Sequence, residues 1–299
     1  MLVEVDGAPF LDDPEQYQAL AALPAIFVSH SPCAAVDLVV TESELAAVHE
    51  SVLRAPLAAQ ALVMLLRNSE RRSLEEGLLA ESTTYSMLQG GPEFLEWQRS
   101  YRARPRVSEI GSAVRVESNA TEFVITLTRP HVHNAFSRRM RDELCEALTV
   151  AQATDTDSAI VLCGSGPSFC SGGDLTEFGT FPSIPESHVT RLQRSPARLL
   201  AHVAERATVY LHGACMGAGI ELPAYASRVV AAADSVIALP EIGLGLIPGA
   251  GGTWSIPRRI GRQRATWLAL PGQSIDARVA LEWGLVDEIA LPPQSVAST

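Results

Sequence analysis

The 299-residue chain contains no lysine, because all 23 of its basic residues are arginine. Without a lysine amine the chain cannot form a Schiff base with a carbonyl substrate or with pyridoxal phosphate. The same absence excludes a phosphate-binding P-loop, which needs a lysine to reach the phosphates. These reaction classes are therefore excluded for this chain, whatever the cause of its arginine bias.

Positive charge, long apolar runs and paired cysteines are also scarce. The net charge of −11 argues against nucleic acid or an anionic membrane as the main partner. No run approaches the roughly 20 apolar residues that span a bilayer, and the acidic N-terminus lacks the basic region of a signal peptide. The five cysteines form no CxxC pair, which favours reduced thiols over disulfides or zinc. We therefore expect a cytoplasmic protein without a membrane or nucleic-acid partner.

The first 110 residues have the caps and the apolar spacing of helices. Helices are predicted after the capping box Thr41–Glu44, over residues 57–66, over 73–88 before Gly90, and around 94–101. Arg102–Arg106 is predicted to be a linker. Such a region could serve only to pack and stabilise the rest of the chain, and this alternative stays open.

From Val114 onward the pattern changes to short apolar strands that alternate with helices. The helix is clearest at 137–153, where Met140, Leu144 and Leu148 recur at helical spacing. The strands are predicted at 114–117, 123–127, 159–162, 209–211, 229–233 and 236–239. This alternation indicates a layered α/β domain. We therefore expect two units, 1–110 and 111–299.

Two glutamates, Glu221 and Glu241, lie 20 positions apart in glycine-rich apolar sequence. A carboxylate in such surroundings is costly unless it is solvated, paired or used. Glu221 follows Ala218 by three residues, so on a helix the two would share a face. The Ala218 amide at a helix start could then hold a negative oxygen while Glu221 moves a proton nearby. The two glutamates are thus a candidate acid/base pair.

Other motifs leave weaker alternatives. Gly217-Ala218-Gly219 begins a dinucleotide-binding fingerprint, but Leu222 stands where the third glycine belongs. The glycines could also serve packing alone. His131 and His133 would share one side of an extended segment, yet no third ligand of metal-site spacing is evident.

The thiols and a serine offer weak candidates for a nucleophile. Gly164-Ser165-Gly166 is not the GxSxG motif of a nucleophile elbow. Cys170 and Cys215 flank the two glycine turns, where small buried side chains explain them better than nucleophiles do.

Taken together, the motifs resemble those of the enoyl-CoA hydratase/isomerase (crotonase) family. The resemblance runs from about residue 112 to 290 and rests on the joint order and spacing of Arg129-Pro130, Asn134-Ala135-Phe136, Phe169–Leu175, Gly213–Leu222, Pro240–Gly252, Arg258–Gly261 and Ala280–Val286. It implies an α/β fold in which ββα units follow a spiral, preceded here by a mostly α-helical N-terminal region.

The resemblance implies acyl-CoA thioester chemistry. In the family, two backbone amides bind the thioester oxygen and stabilise an enolate, and the matching positions here are Gly173 and Ala218. Family hydratases use glutamates at Glu221 and Glu241, one to activate water and the other to supply the α-proton. Isomerases usually keep the second and lose the first. Further substrate contacts are expected at Ala135, Ser171, Asp174, Leu175 and Gly217.

The implied partners are an acyl-CoA thioester and further copies of the chain, in a trimer or hexamer, with no metal and no cofactor besides coenzyme A itself. An arginine cluster, Arg138–Arg141 or Arg258–Arg264, could meet the CoA phosphates. We expect an enoyl-CoA hydratase of fatty acid metabolism. An isomerase, a dioxygenase, a decarboxylase, a thioester hydrolase and a non-catalytic acyl-CoA-binding scaffold are the alternatives.

The chain departs from the family pattern at both ends. The family normally continues past residue 286 with several helices, whereas this chain carries about 110 extra residues at its front. We hypothesise that residues 1–110 take over the lid or assembly role of those C-terminal helices. A helical extension also occurs in the cofactor-independent dihydroxyphenylacetyl-CoA dioxygenases of the superfamily. Those enzymes have glutamine at the position of Glu221, which argues against that activity here.

Overall fold

The computed structural model describes residues 1–5, 21–102, 111–153 and 158–291. In the N-terminal region, strands β1 (Leu2–Glu4), β2 (Ile26–Ser29) and β3 (Leu38–Val39) form a small parallel sheet. Helices then follow in close succession: α1 (Glu42–Arg54), α2 (Pro56–Leu66), α3 (Leu74–Gln89) and α4 (Pro92–Ser100).

The main sheet lies in the second part of the chain. Its first two strands, β4 (Val114–Ser118) and β5 (Glu122–Leu127), are antiparallel. Parallel partners then extend the sheet from β5 in the order β6 (Ala159–Gly164), β7 (Ala207–Leu211), β9 (Arg228–Ala231) and β12 (Glu288–Ile289). A second sheet joins β8 (Ala214–Met216) to β10 (Val236–Ala238) and β11 (Ile275–Asp276).

The helices of this part cover the sheets and carry the turns between strands. They are α5 (Arg138–Ala153), α6 (Ile184–Gln193), α7 (Pro196–His202), the short α8 (Ala218–Glu221), α9 (Gly252–Ala269) and α10 (Ala277–Trp283). Gly261 has a φ of 78°, so α9 consists of two helical segments that meet at this residue. No helix in the described ranges combines the length and apolar character needed to cross a bilayer.

Local sequence signals predicted the four helices α1–α4 of the N-terminal region correctly. Thr41 and Glu44 form the predicted capping box, in which each side chain binds the backbone N–H of the other residue. Ser73 and Glu76 form a second one at the start of α3. The predicted strands and the helix at 137–153 are also confirmed. The sheet formed by β1–β3 was not predicted, so the N-terminal region is not helical throughout.

Most of the predicted linker Arg102–Arg106 and the tail after Leu291 fall outside the described residues. The division into units 1–110 and 111–299 stays a prediction. The described residues on both sides of it nevertheless contribute to one hydrophobic core, in which Leu62, Leu78 and Phe94 join Ile125 and Leu268.

Helix α3 packs directly on α9. A Cβ atom built on Gly77 would lie only 2.2 Å from Cδ1 of Trp254, so glycine lets the two helices come this close. Buried Arg67 forms an ion pair with Asp37, and Arg262 of α9 donates to the carbonyl of Val36. The contacts of Gly77 with Trp254 and of Val36 with Arg262 hold the N-terminal region against the second part of the chain.

Candidate active site

A cavity of about 210 Å³ lies between α3 and the turns that follow the parallel strands. Its wall therefore comes from both parts of the chain. Helix α3 contributes Leu78, Glu81, Ser82 and Tyr85, and the opposite wall includes Gly173, Ala218, Glu221 and Glu241.

The two glycine turns predicted from the sequence, 168–175 and 213–222, lie side by side and are joined by backbone hydrogen bonds. The N–H of Cys170 donates to the carbonyl of Ala214 at 3.1 Å, and the N–H of Met216 donates to the carbonyl of Cys170 at 2.9 Å. A Cβ atom on Gly219 would lie 2.2 Å from that same Cys170 oxygen. Glycine is therefore required there for the close approach, and the approach brings both turns to one wall of the cavity.

Two backbone amides at this wall are available to a ligand. Among the described residues, neither the N–H of Gly173 nor that of Ala218 donates a hydrogen bond to the protein. Ala218 is the first residue of α8, where a helix leaves its N–H groups unpaired. Two such donors beside one cavity are suited to an oxygen that gains negative charge.

Glu221 lies in α8 with 2% of its surface exposed. Its Oε2 atom accepts hydrogen bonds from the N–H groups of Ala250 at 2.8 Å and Gly252 at 2.9 Å. Its Oε1 atom accepts none from the described residues. Burial raises the pKa of Glu221 well above its ordinary value, and the negative charges of Glu241 and Glu81 add to this rise. The two amides offset it only in part.

Glu241 begins a short 3₁₀ turn, Glu241–Leu244. Its Oε2 atom is buried and has no hydrogen-bond partner in the described part of the chain. Burial raises the pKa of Glu241 to about 8, and the charge of Glu81 contributes to the rise. An unpaired carboxyl of this kind can gain or lose a proton near neutral pH.

A third carboxylate, Glu81 of α3, borders the same cavity and was missed in the sequence. It is 3% exposed. Its Oε1 atom accepts from the N–H of Gly251 at 2.7 Å, and its Oε2 atom accepts from the N–H and the hydroxyl of Thr253 at 2.9 and 2.7 Å. Burial raises the pKa of Glu81 to about 7, although the hydrogen bonds from these donors act to lower it. Its position seven residues after Leu74, on the apolar stripe of α3, is the signal that could have found it.

The remaining polar wall joins α3 to α6. The guanidinium of Arg191 lies 4.6 Å from the ring centre of Tyr85 and donates to Ser187 at 2.8 Å and to Ser82 at 3.2 Å. Burial raises the pKa of Tyr85, and the carboxylates of the cavity strengthen this effect, so the phenol keeps its proton. Arg191 thus brings a cation to the same cavity as the three carboxylates.

The other residues predicted to contact substrate do not border this cavity. They are Ala135, Ser171, Asp174, Leu175 and Gly217. Asp174 accepts from Arg129 at 3.0 Å and from the hydroxyl of Thr176 at 2.7 Å, and it caps the turn Leu175–Glu177 by accepting from the N–H of Thr176 at 3.2 Å. Burial opposes ionisation of Asp174, but these hydrogen bonds outweigh it and lower its pKa. Contact between substrate and these residues stays a prediction.

The metal and thiol alternatives gain no support from the geometry. His131 lies in a 3₁₀ turn and His133 has a left-handed backbone, so the two do not share the face of a strand. Within the described ranges, no three His, Cys, Asp or Glu side chains are grouped as metal ligands would be. Burial raises the pKa of Cys170 to about 12 and also raises that of Cys215. Both thiols are therefore poor nucleophiles near neutral pH.

The sequence profile of the family described as enoyl-CoA hydratase/isomerase matches residues 117–299. Over 171 residues the chain is 35% identical to the 1,2-epoxyphenylacetyl-CoA isomerase of Escherichia coli K12, and this covers 56% of the chain and 65% of the relative. Over 168 residues it is 36% identical to the 2,3-dehydroadipyl-CoA hydratase of the same strain, with the same coverage of 56% and 65%.

The solved structures show the same fold. The crystal structure of an enoyl-CoA hydratase from Thermoplasma volcanium GSS1 matches with a TM-score of 0.56 and 31% identity, over 60% of this chain and 72% of that one. The predicted fold class, a crotonase-type α/β spiral, is thereby confirmed.

Proposed function

Because this chain belongs to the enoyl-CoA hydratase/isomerase family, we propose that it is an acyl-CoA enzyme whose reaction is the hydration of a 2-enoyl-CoA. The observation that carries the proposal is a meeting of four groups at one cavity. Two of them are the amides of Gly173 and Ala218, which donate no hydrogen bond to the described residues. The other two are the carboxyl groups of Glu221 and Glu241, and each carboxyl group keeps one oxygen without a protein donor in the described ranges.

In the proposed reaction the thioester oxygen lies between the two amides, which stabilise the enolate as it forms. One glutamate takes a proton from water while the hydroxyl adds to the β-carbon. The other glutamate gives a proton to the α-carbon. The net reaction adds one water across the double bond, and it uses no redox partner. No coenzyme is required beyond the CoA of the substrate.

The presence of both glutamates favours hydration over isomerisation, because moving a double bond requires only that one group remove a proton and return it. The hydratase and the isomerase named above are nearly equal in identity, although the substrate of that isomerase is by its name an epoxide. The family description covers both hydratases and isomerases, so isomerisation of an enoyl-CoA is the second candidate. The chain spans 65% of the length of each of these relatives. A role in fatty acid metabolism, a cytoplasmic location and assembly into a trimer or hexamer belong to the proposal as well.

We also propose that the N-terminal region acts as a lid. The supporting observation is that α3 closes the cavity with Glu81 and Tyr85 and packs on α9 through Gly77. In this arrangement the N-terminal region helps to exclude water from the reacting groups, which strengthens electrostatic interactions with the enolate.

The test is turnover of crotonyl-CoA and of longer and aromatic enoyl-CoAs in ¹⁸O-labelled water, with products identified by mass. Hydration adds labelled oxygen, whereas isomerisation leaves the mass unchanged. We expect Glu221→Gln and Glu241→Gln each to lower kcat by about 10²–10⁴-fold, the usual share of a general acid or base. Glu146→Gln, an exposed change on α5, is the matched control.

Three outcomes separate the candidates. Wild-type turnover in either cavity variant would rule out a mechanism with two glutamates. Mass-neutral products with a requirement for Glu241 alone would favour the isomerase. Calorimetric binding of these acyl-CoAs without turnover of any of them would favour a non-catalytic binding protein.

A further inference from the structure

Arg191 of helix α6 brings a positive charge to the cavity and has no ion-pair partner in the described ranges. Its Nη1 atom donates to the hydroxyl of Ser187 at 2.8 Å and to the side-chain oxygen of Gln89 at 3.3 Å. Its Nε atom donates to the hydroxyl of Ser82 at 3.2 Å, and its Nη2 atom donates to that of Ser86. All four acceptors are neutral, so these hydrogen bonds position the guanidinium but do not neutralise its charge.

The other arginines that line the cavity have their charge balanced or solvated. Arg138 and Arg141 each form an ion pair with a carboxylate, at 3.7 and 2.8 Å. Arg194 is exposed to solvent. Arg191 is partly buried, and burial lowers its pKa because water solvates the guanidinium less well there. A cation in such a place is costly unless an anion meets it.

Glu81 attracts Arg191, but its carboxylate is engaged elsewhere. Both of its oxygens accept hydrogen bonds from the start of α9, and none joins it to Arg191 in the part of the chain that the structure describes. Burial raises the pKa of Glu81 to about 7, so near neutral pH it carries only part of a negative charge. The pKa values of Glu221 and Glu241 are raised as well, so these acids repel a bound anion less than full charges would.

Spare hydrogen-bond donors accompany the charge of Arg191. Tyr85 and Ser187 line the cavity, and the hydroxyl of neither donates a hydrogen bond to a described residue. The raised pKa of Tyr85 keeps its phenol protonated. The side-chain nitrogen of Gln89 has no acceptor among the same residues, and at least one of the five N–H groups of Arg191 is also unused. A ligand group that fits this wall accepts hydrogen bonds and is negatively charged.

A short series of contacts leads from the reacting groups to Arg191. The N–H of Ala250 donates to Glu221. A Cβ atom on Gly249, the preceding residue, would lie 2.5 Å from the ring of Tyr85. The centre of that ring lies 4.6 Å from the guanidinium of Arg191. Because Tyr85 and Gly249 come between Glu221 and Arg191 in this series, the guanidinium is suited to the far end of an acyl group and not to its double bond.

We propose that the acyl group of the substrate carries a carboxylate at its far end and that Arg191 binds this carboxylate. The inference rests on the proposed function, since it takes the cavity as the site of the acyl group. The substrate class is then the CoA thioesters of 2-enoic acids with a second, terminal carboxyl group. Tyr85 and Ser187 donate further hydrogen bonds to the same carboxylate. Tyr85 lies in α3, ahead of the family match at residues 117–299, so the N-terminal region contributes to the specificity.

The preference is measured by calorimetric binding of saturated CoA thioesters, which have no double bond to hydrate. Glutaryl-, adipyl- and pimelyl-CoA are each compared with the thioester in which a carboxamide replaces the terminal carboxylate, because the amide keeps the shape and lacks the charge. We expect at least one of the three acids to bind about tenfold or more tightly than its carboxamide, as hydrogen bonds to charged groups do. Arg191→Met should abolish this preference, whereas Arg191→Lys should keep part of it.

Arg194→Met is the matched control, because Arg194 lines the same cavity but is exposed. It should leave the ratio of acid binding to carboxamide binding unchanged, even if it weakens every CoA ligand through the loss of a positive charge. If Arg191→Met does not fold, Tyr85→Phe and Ser187→Ala carry the test. Each removes one hydroxyl donor and should lower the ratio about twofold or more.

The proposal is overturned if none of the three acids binds more tightly than its carboxamide. It is also overturned if Arg191→Met weakens the acids, the carboxamides and CoA itself by one common factor, because Arg191 would then bind a phosphate of CoA. A chain that prefers the acids but adds no labelled oxygen to any enoyl-CoA would contradict only the proposed hydration. A chain that hydrates enoyl-CoAs without this preference would contradict only the present inference.

Discussion

Gly217 and Glu241 are in direct contact, because a Cβ atom on Gly217 would lie 2.3 Å from Oε1 of Glu241. The backbone of Gly217, with φ of 49° and ψ of −119°, also belongs to a region that other residues rarely adopt. We expect Gly217→Ala to displace the carboxylate and lower kcat by about 10²-fold, as small misplacements of reacting groups do. Backbone strain should lower the free energy of unfolding by roughly 1–3 kcal/mol. Steady-state kinetics and denaturant unfolding measure the two effects.

The control for this variant lies in the same turn. A Cβ atom on Gly243 would meet nothing within 4 Å, although Gly243 is only two residues from Glu241. Gly243→Ala should therefore keep both kcat and stability near those of the wild type. Equal losses in the two variants would show that the turn, and not the contact with Glu241, is responsible.

The parts of the fold that the sequence predicted depend on local interactions. The predicted capping box at Thr41 and the apolar spacing of the helices involve residues within four positions of each other. The β1–β3 sheet was missed because its pairs, such as Leu2 with Ile26, join short segments far apart in sequence. Short strands of this kind carry little periodic signal.

The same contrast applies to the site. Glu221 and Glu241 were noticed because an acid in glycine-rich apolar sequence is costly, and the structure places both beside one cavity. Glu81 lies on the apolar stripe of α3, which marks it as buried but not as part of the site, and it reaches the cavity only because Gly77 lets α3 pack on Trp254. The hydrogen bonds that the two acids Glu81 and Glu221 accept from four successive backbone amides depend on that packing, which local sequence does not specify.

The amides of Gly173 and Ala218 can be removed without changing a side chain. Glycolic acid at position 173, or lactic acid at 218, replaces the peptide N–H by an ester oxygen. We expect each ester to lower kcat for the acyl-CoA reaction by about 10²–10³-fold, the usual effect of one oxyanion donor. Neither N–H donates a hydrogen bond among the described residues, so thermal stability should change little. If either ester destabilised the chain as much as the removal of a hydrogen-bonded amide does, this assignment would be contradicted.

Gly77 provides a test of the contact between α3 and α9. Alanine favours a helix over glycine by about 1 kcal/mol, but its Cβ would lie 2.2 Å from Trp254. Trp254 is itself stacked on Tyr225 at 5.5 Å, with Arg258 3.7 Å from its ring centre, so it has little room to move. We expect Gly77→Ala to destabilise the chain by roughly 1–3 kcal/mol, as overpacking does.

The control for this variant is Thr83→Ala, an exposed change on the same helix. It gains helix propensity without meeting another residue, so it should keep or raise stability in denaturant unfolding. Turnover should fall in Gly77→Ala alone, because only that change moves Glu81. If Gly77→Ala proves as stable and active as the control, α3 is not held by this contact.

The buried carboxylates should make the protein less stable as the pH rises. The pKa of Glu241 is raised from its ordinary value of 4.5 to about 8 in the folded chain. Between these values the folded state binds more protons than the unfolded state, so the free energy of unfolding falls with increasing pH and levels off above pH 8. Glu81, with its pKa raised to about 7, contributes in the same direction between pH 4.5 and 7.

Glu241→Gln separates this contribution from other effects of pH, since it keeps the shape of the side chain and removes its titration. At pH 4 the variant and the wild type should melt at similar temperatures, because Glu241 is then mostly protonated in both the folded and the unfolded chain. At pH 8.5 the variant should melt several degrees higher, because only the wild type has then lost the stability that the raised pKa supplies at low pH. Glu146→Gln is measured in parallel as an exposed control. The same samples, assayed with crotonyl-CoA, report whether removing the charge also removes turnover. A difference in melting temperature between variant and wild type that stays constant with pH, or that grows toward low pH, would show that Glu241 does not carry a raised pKa.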